Sequence, residues 1–164
     1  MIMKKVLLIL IGIIACLSGN SQNNNMQDDI IGIWQLSTPE IGSGYLDNYQ
    51  FFPDGKFVFN INEYDELKHI VAIKGRYIVS TDSISIEPIS LITYSGNKLD
   101  RSSSTSMHDS WSLCGSRIKN EIFLENQPTF TVKLVLIKKQ AGPNSILIDG
   151  REYFMITKDP FEYE

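Results

Sequence analysis

The chain has 164 residues, of which 43% are hydrophobic, and its 15 basic and 19 acidic residues give a formal net charge of -4. Such an acidic chain has no basic cluster to neutralise phosphates, which argues against binding to DNA or RNA. With two cysteines, Cys16 and Cys114, a framework of several disulfides is also excluded.

The N-terminal segment predicts export. Lys4 and Lys5 precede a short apolar run, and Ala15 is a small residue directly before Cys16. A basic start, a short apolar stretch and a small residue are typical of a secretory signal, and the run is shorter than the about 20 residues that span a bilayer. The segment around residue 16 resembles a bacterial lipobox. The resemblance implies that residues 1–15 are a signal peptide and that Cys16 receives a lipid; the alternative is ordinary cleavage after Ser18.

A polar stretch follows Cys16 and includes the run Asn23-Asn24-Asn25. A segment of this composition cannot bury enough apolar surface to offset the entropy lost on ordering. We therefore expect residues 16–29 to be a flexible tether. Residues 30–164 are then one folded domain, since this length is sufficient for a sizeable core.

The folded part has a hydrophobic period of two. Because successive side chains of a strand point to opposite faces, this pattern indicates sheets with one buried and one solvated face. The inward residues are predicted to include Phe57, Phe59, Ile61, Ile84, Ile86, Phe130, Val132, Leu134, Leu136, Ile146 and Ile148.

Turn residues separate these runs. Pro53-Asp54-Gly55 predicts a hairpin, and Asp149-Gly150 marks another turn. Many short strands with close turns are typical of an antiparallel barrel or sandwich, and a barrel removes exposed strand edges. We predict an all-β, antiparallel, up-and-down barrel with about 8–10 strands and little helix. The expected strands are Ile30–Leu36, Asp47–Phe52, Lys56–Asn62, His69–Lys74, Gly75–Ser80, Ser83–Glu87, Ser110–Cys114, Arg117–Leu124, Thr129–Lys139, Ser145–Ile148 and Glu152–Thr157, some of them merged.

Two stretches depart from this pattern. Residues 63–68 are expected to form a helical turn or a hairpin tip. The serine-rich stretch Lys98–Asp109 is predicted to be a long polar loop, either functional or simply a solvated connection.

Several short motifs occur in a recognisable order: Gly32-Ile33-Trp34, the segment from Tyr49 to Phe57, and Gly75-Arg76-Tyr77-Ile78-Val79 followed by an alternating strand. Over residues 30–87 this order resembles the lipocalin-like domains of Gram-negative bacterial lipoproteins. The resemblance implies a barrel able to hold a small apolar ligand, in a family that mostly lacks an assigned activity. It also implies that Trp34 closes the bottom of the barrel, that Gly32 allows close backbone approach, and that Arg151 stacks on Trp34.

The common catalytic and nucleotide-binding motifs do not occur in the sequence. A zinc site built from Glu66, His69, His108 and Asp109 is conceivable, but isolated loop histidines are usually solvated, so no metal or other cofactor is predicted. Cys114, within an apparent strand, is expected to be a small buried apolar residue.

Three classes of function remain. The first, which we favour, is binding of a small apolar or amphipathic molecule in the barrel, without catalysis, by a lipoprotein of the cell envelope. The second is a filled barrel that contacts a protein partner through the Lys98–Asp109 stretch or a strand edge. The third, an enzyme, is the least favoured. We expect anchoring to the outer membrane, and the tether does not favour display on the cell surface over the periplasmic face. The candidate ligand-binding residues are Phe57, Phe59, Tyr77, Trp111, Phe130 and Val132.

Overall fold

The computed structural model of the chain describes residues 23–65, 68–96, 98–102, 110–115 and 117–162. Within them lie one helix, α1 (Asn23–Ile30), and eleven strands. The strands are β1 (Gly32–Leu36), β2 (Asn48–Phe51), β3 (Lys56–Asn60), β4 (Ile70–Val79), β5 (Ser83–Ser95), β6 (Lys98–Ser102), β7 (Ser110–Cys114), β8 (Ile118–Phe123), β9 (Phe130–Ile137), β10 (Ser145–Ile148) and β11 (Arg151–Thr157).

Eight of these strands close into an antiparallel β-barrel. Their order is β4-β3-β2-β1-β11-β10-β9-β5, and β5 pairs back with β4 to complete the circle. Because consecutive strands pair mostly with their neighbours in sequence, the connections are short and the barrel is of the up-and-down type. The expected all-β barrel is therefore confirmed.

The predicted period of two separates the inside of the barrel from its outside. Phe57, Ile84, Leu134, Ile146 and Ile148 are buried in the core. Four further predicted inward residues pack against this core as partly buried side chains: Phe59, Ile86, Val132 and Leu136. Phe130, at the start of β9, was also predicted to face inward and is 52% exposed.

The register defines two different ends of the barrel. Gly32 pairs with Phe51 at the end where α1 enters β1, which we call the closed end. Asn48 pairs with Asn60 toward the other end, the open end, where the Asp149-Gly150 turn leads into β11. Positive φ angles of 51° at Asp149 and 77° at Gly150 suit a tight hairpin turn.

Helix α1 replaces part of the predicted tether. Residues 16–29 were expected to lack structure, but the chain is helical from Asn23 to Ile30. Ile30 is fully buried and Met26 packs against the same core. The helix forms because these two apolar residues, four apart and thus on one face, cover the closed end of the barrel.

Strands β4 and β5 are longer than predicted. The two strands expected at 69–80 are one, β4, with an irregularity between Lys74 and Gly75. Strand β5 was expected to end at Glu87 but continues to Ser95, because Pro88 lies opposite Gly75 at this irregularity. Proline is tolerated in a sheet at such bulges, where no ladder hydrogen bond is required.

The predicted polar loop is in part a strand. Lys98–Ser102 forms β6 and pairs with β7 in a separate two-stranded sheet; residues 103–109 lie outside the described part of the chain.

The prediction that Cys114 is buried is wrong, since Cys114 is exposed while its neighbour Leu113 is buried. Adjacent strand residues face opposite sides, and only one side of β7 is covered.

Candidate functional site

A cavity of about 420 Å³ lies inside the barrel toward its open end. Small-molecule sites typically have volumes of about 300–1,000 Å³, so this cavity has the size of a ligand pocket. Strands from all around the barrel contribute to its wall. The lining residues are Tyr49, Phe57, Phe59, Ile73, Ile86, Pro88, Phe130, Val132, Ile148, Asp149, Arg151 and Tyr153.

The wall of the cavity contains a cluster of aromatic rings centred on Tyr49. Its ring lies 4.6 Å from that of Phe59 and 5.2 Å from that of Tyr153, measured between centroids. It also stacks on Phe51, which is fully buried below it, at 5.3 Å. Rings in such contact hold one another in place, so this side of the cavity is preformed.

A few polar groups interrupt the apolar lining. Arg151 and Asp149 lie at the open end, and the side chains of Tyr49 and Tyr153, which carry hydroxyl groups, also line the cavity. Burial raises the pKa of Tyr49 and of Tyr153, while the positive charge of Arg151 acts on both in the opposite direction. Both tyrosines therefore keep their protons at neutral pH and can donate hydrogen bonds.

Four of the six predicted ligand residues line this cavity: Phe57, Phe59, Phe130 and Val132. Tyr77 does not, because it packs against Phe51 at a centroid distance of 4.9 Å and its hydroxyl donates a hydrogen bond of 2.8 Å to the carbonyl oxygen of Phe52. Trp111 belongs to β7, in the separate two-stranded sheet.

Gly32 and Trp34 lie in β1, whereas Arg151 is the first residue of β11. Trp34 is fully buried near the closed end, where its Nε1 donates a hydrogen bond of 2.6 Å to the carbonyl oxygen of Ile30. The residue of β11 opposite Trp34 is Met155, four positions beyond Arg151. Four strand residues span about 13 Å. Arg151 therefore belongs to the cavity at the open end, and the predicted stacking on Trp34 is not formed.

Eight residues that line the cavity were not predicted to bind ligand. Ile86 and Ile148 were expected only to face inward, Asp149 to form a turn and Arg151 to stack on Trp34. The other four are Tyr49, Ile73, Pro88 and Tyr153. For Tyr49 and Tyr153 a signal was present: both stand two positions from residues of their strands that also face inward, Phe51 and Met155. For Ile73 and Pro88 the signal was obscured, because the irregularity between β4 and β5 shifts the register beside them.

A second depression, of about 470 Å³, lies outside the barrel and carries mostly charged side chains. Lys68 and Arg117, its two cations, are already engaged. Lys68 Nζ donates to the carbonyl oxygens of Ile61 and Asn62, and the guanidinium of Arg117 lies 5.6 Å from the ring centre of Tyr94. Burial lowers the pKa of Lys68. Because its charges are used within the protein, this depression is the weaker candidate site.

In the part of the chain that the structure describes, no three histidine, cysteine, aspartate or glutamate side chains come close enough to hold a metal ion. Glu66, His108 and Asp109 of the conceivable zinc site lie outside that part, as does Cys16. None of the described helical residues forms a segment long and apolar enough to cross a bilayer.

Comparisons of the chain with protein-family models, with curated proteins and with solved structures find no match.

Proposed function

We propose that this protein binds a small apolar or amphipathic molecule inside its barrel, without catalysis, while a lipid on Cys16 anchors it in the cell envelope. The observation that carries the proposal is the apolar cavity at the open end of the barrel. A small eight-stranded barrel can fill its interior with side chains, yet this one keeps an internal space of about 420 Å³.

The energetics favour an apolar guest. Water in this cavity meets mainly hydrocarbon side chains, with few polar groups to bind it. Each Å² of apolar ligand surface removed from water contributes about 25 cal/mol. A ligand that replaces this water gains the transfer free energy without requiring the aromatic wall to rearrange.

A pair of valine substitutions on one strand tests the binding. Val132 faces the cavity, whereas Val135 lies on the same strand and faces outward with 38% of its surface exposed. We expect wild type and Val135→Trp to bind the neutral fluorescent probe N-phenyl-1-naphthylamine with one site per chain. Val132→Trp, which places a large ring inside the cavity and reduces the space for a ligand, should weaken binding at least tenfold. Equal binding by the two variants would refute binding inside the barrel.

The anchoring half of the proposal is supported by the Lys4–Cys16 sequence pattern. We expect wild type to incorporate labelled palmitate and to sediment with membranes, because a multiply acylated cysteine partitions stably into a bilayer. Cys16→Ser should do neither, and Cys114→Ser should behave as wild type. Unmodified wild-type protein with a mature start beyond residue 16 would refute the anchor and leave the cavity proposal untouched.

A second candidate function is contact with a protein partner along β8. This strand pairs with β5 as a ninth strand beyond the eight of the barrel, so it is the last strand of the sheet. It exposes Ile118, Ile122 and Phe123. A terminal strand with exposed apolar residues favours the addition of a strand from another chain. The probe titration separates the two candidates, since a protein that acts only through β8 binds no probe in its barrel.

A further inference from the structure

We infer that the ligand is an amphipath with a carboxylate head group, which Arg151 holds at the open end of the barrel while the hydrocarbon tail fills the cavity. This inference rests on the proposed function and specifies the class of ligand. The structure supports it through the position of one guanidinium in an otherwise mainly apolar lining.

The fold brings Arg151 to this position through the β10–β11 hairpin. Arg151 is the first residue of β11, directly after the Asp149-Gly150 turn, and it pairs with Ile148. It stands two positions before Tyr153, which is buried and faces the inside, so the two side chains leave the strand on the same face. Arg151 therefore projects from the open end of the barrel toward the cavity and not toward the outer surface.

Among the described residues, the guanidinium of Arg151 forms no ion pair with a carboxylate. The ion pairs that the structure describes involve Lys56, Lys74, Lys138 and Lys139. Asp149 lines the same cavity but forms no ion pair with Arg151. The guanidinium hydrogen-bonds the side chain of Tyr153. Because a guanidinium carries five N–H donors, this contact leaves donors at the open end for a ligand.

A carboxylate suits these groups better than other head groups. Arginine presents parallel N–H donors that match the two oxygens of a carboxylate. The hydroxyls of Tyr49 and Tyr153 remain protonated and supply further donors. An ammonium group would be repelled by Arg151, and a dianionic phosphate would be repelled by Asp149 more strongly than a single carboxylate.

The test uses three amphipaths with the same twelve-carbon tail, dodecanoate, dodecanol and dodecylammonium, below their micelle concentrations and with the full-length chain. We expect wild type to bind dodecanoate about tenfold more tightly than dodecanol, the increment of one charge-assisted hydrogen-bonded contact, and dodecylammonium most weakly. Arg151→Gln should remove the preference for dodecanoate, measured as the ratio of the affinities for dodecanoate and dodecanol. Its circular dichroism spectrum, compared with that of wild type, reports whether the variant is folded.

Matched variants complete the experiment. Arg76→Gln removes an exposed arginine from the outer wall on β4 and should keep the preference. Arg151→Lys retains the charge without the planar donor pair and should give an intermediate preference, and Asp149→Asn should strengthen dodecanoate binding. If Arg151→Gln does not fold, these last two variants decide: unchanged preferences in both would overturn the inference.

The outcomes distinguish the inference from the function on which it rests. Equal binding of dodecanoate and dodecanol by wild type, or an unchanged preference in folded Arg151→Gln, overturns the carboxylate site and leaves apolar binding intact. If wild type binds neither compound, the proposed function itself fails.

Discussion

Tyr77 shows how one buried side chain couples the core to the first hairpin. Its ring packs edge-on against Phe51, and its hydroxyl bonds to the carbonyl oxygen of Phe52. Burial raises its pKa to about 12. An ionised hydroxyl could not donate this hydrogen bond, so the native state holds the proton more tightly than the unfolded chain does.

A pH dependence follows from Tyr77. Its contribution to stability is complete below the unfolded pKa of about 10 and is lost as the pH rises toward the folded value of about 12. We expect the free energy of unfolding, measured with urea, to fall from pH 10 upward. Tyr77→Phe should make this decline shallower, and should cost about 1 kcal/mol at pH 7 through the lost hydrogen bond.

The matched control is Tyr64→Phe, which removes a hydroxyl from a side chain that is 52% exposed. It should leave the alkaline decline as steep as in wild type. If Tyr77→Phe and wild type lose stability in parallel above pH 10, the assignment of this pH dependence to Tyr77 is wrong.

The position of an individual residue could be predicted where its size suits only one place in the barrel. The position of Trp34 near the closed end follows from its large ring beside Gly32 at the start of the first strand. The partner of Trp34 could not be predicted, because it is a backbone carbonyl of α1, and no side-chain pattern marks a carbonyl. The prediction that Arg151 stacks on Trp34 was wrong for the same reason, because no pattern in the sequence indicates which group contacts Trp34.

The pairing of β4 with β5 depends on Gly75. A Cβ atom at this position would collide with the carbonyl oxygen of Glu87 and would lie 2.7 Å from Cε1 of Phe57. The absence of a side chain allows the two strands to approach where the register shifts and the long strands bend around the barrel.

Gly75→Ala is therefore expected to lower the free energy of unfolding by about 1–3 kcal/mol, the usual cost of overpacking. Gly42→Ala is the matched control, because its added Cβ meets only the hydroxyl end of the Tyr64 side chain, which can move. Chemical denaturation of both variants measures the difference. A Gly75→Ala protein as stable as Gly42→Ala would contradict the close approach.

Elements were predictable where alternation was regular. Ser110–Cys114 and Ser145–Ile148 were placed correctly to the residue. Strand β6 was missed because Leu99 is its single apolar residue and is itself 59% exposed. A strand with one apolar residue shows no hydrophobic period in its sequence. Helix α1 was missed because its composition is polar, and its stability comes from the barrel beneath it.

At the scale of the whole molecule, the closed barrel follows from the repeated period of two and the short turns. The presence of a cavity does not follow from these features. Its volume is the small difference between the space that eight strands enclose and the volume of the side chains within it, and neither quantity can be read from spacing along the chain. Phe57, Phe59, Phe130 and Val132 line the cavity because they face inward, whereas Tyr77 also faces inward but packs in the core below the cavity.

The most direct test of ligand binding inside the barrel is solution NMR of the methyl-labelled protein with dodecanoate. The account predicts intermolecular nuclear Overhauser effects between the hydrocarbon tail and the methyl groups that line the cavity, on Ile73, Ile86, Val132 and Ile148. It predicts none to the exposed methyl groups of the outer surface, on Ile78, Ile118 and Ile122. Effects confined to this second group would place the ligand on the outside and contradict the account.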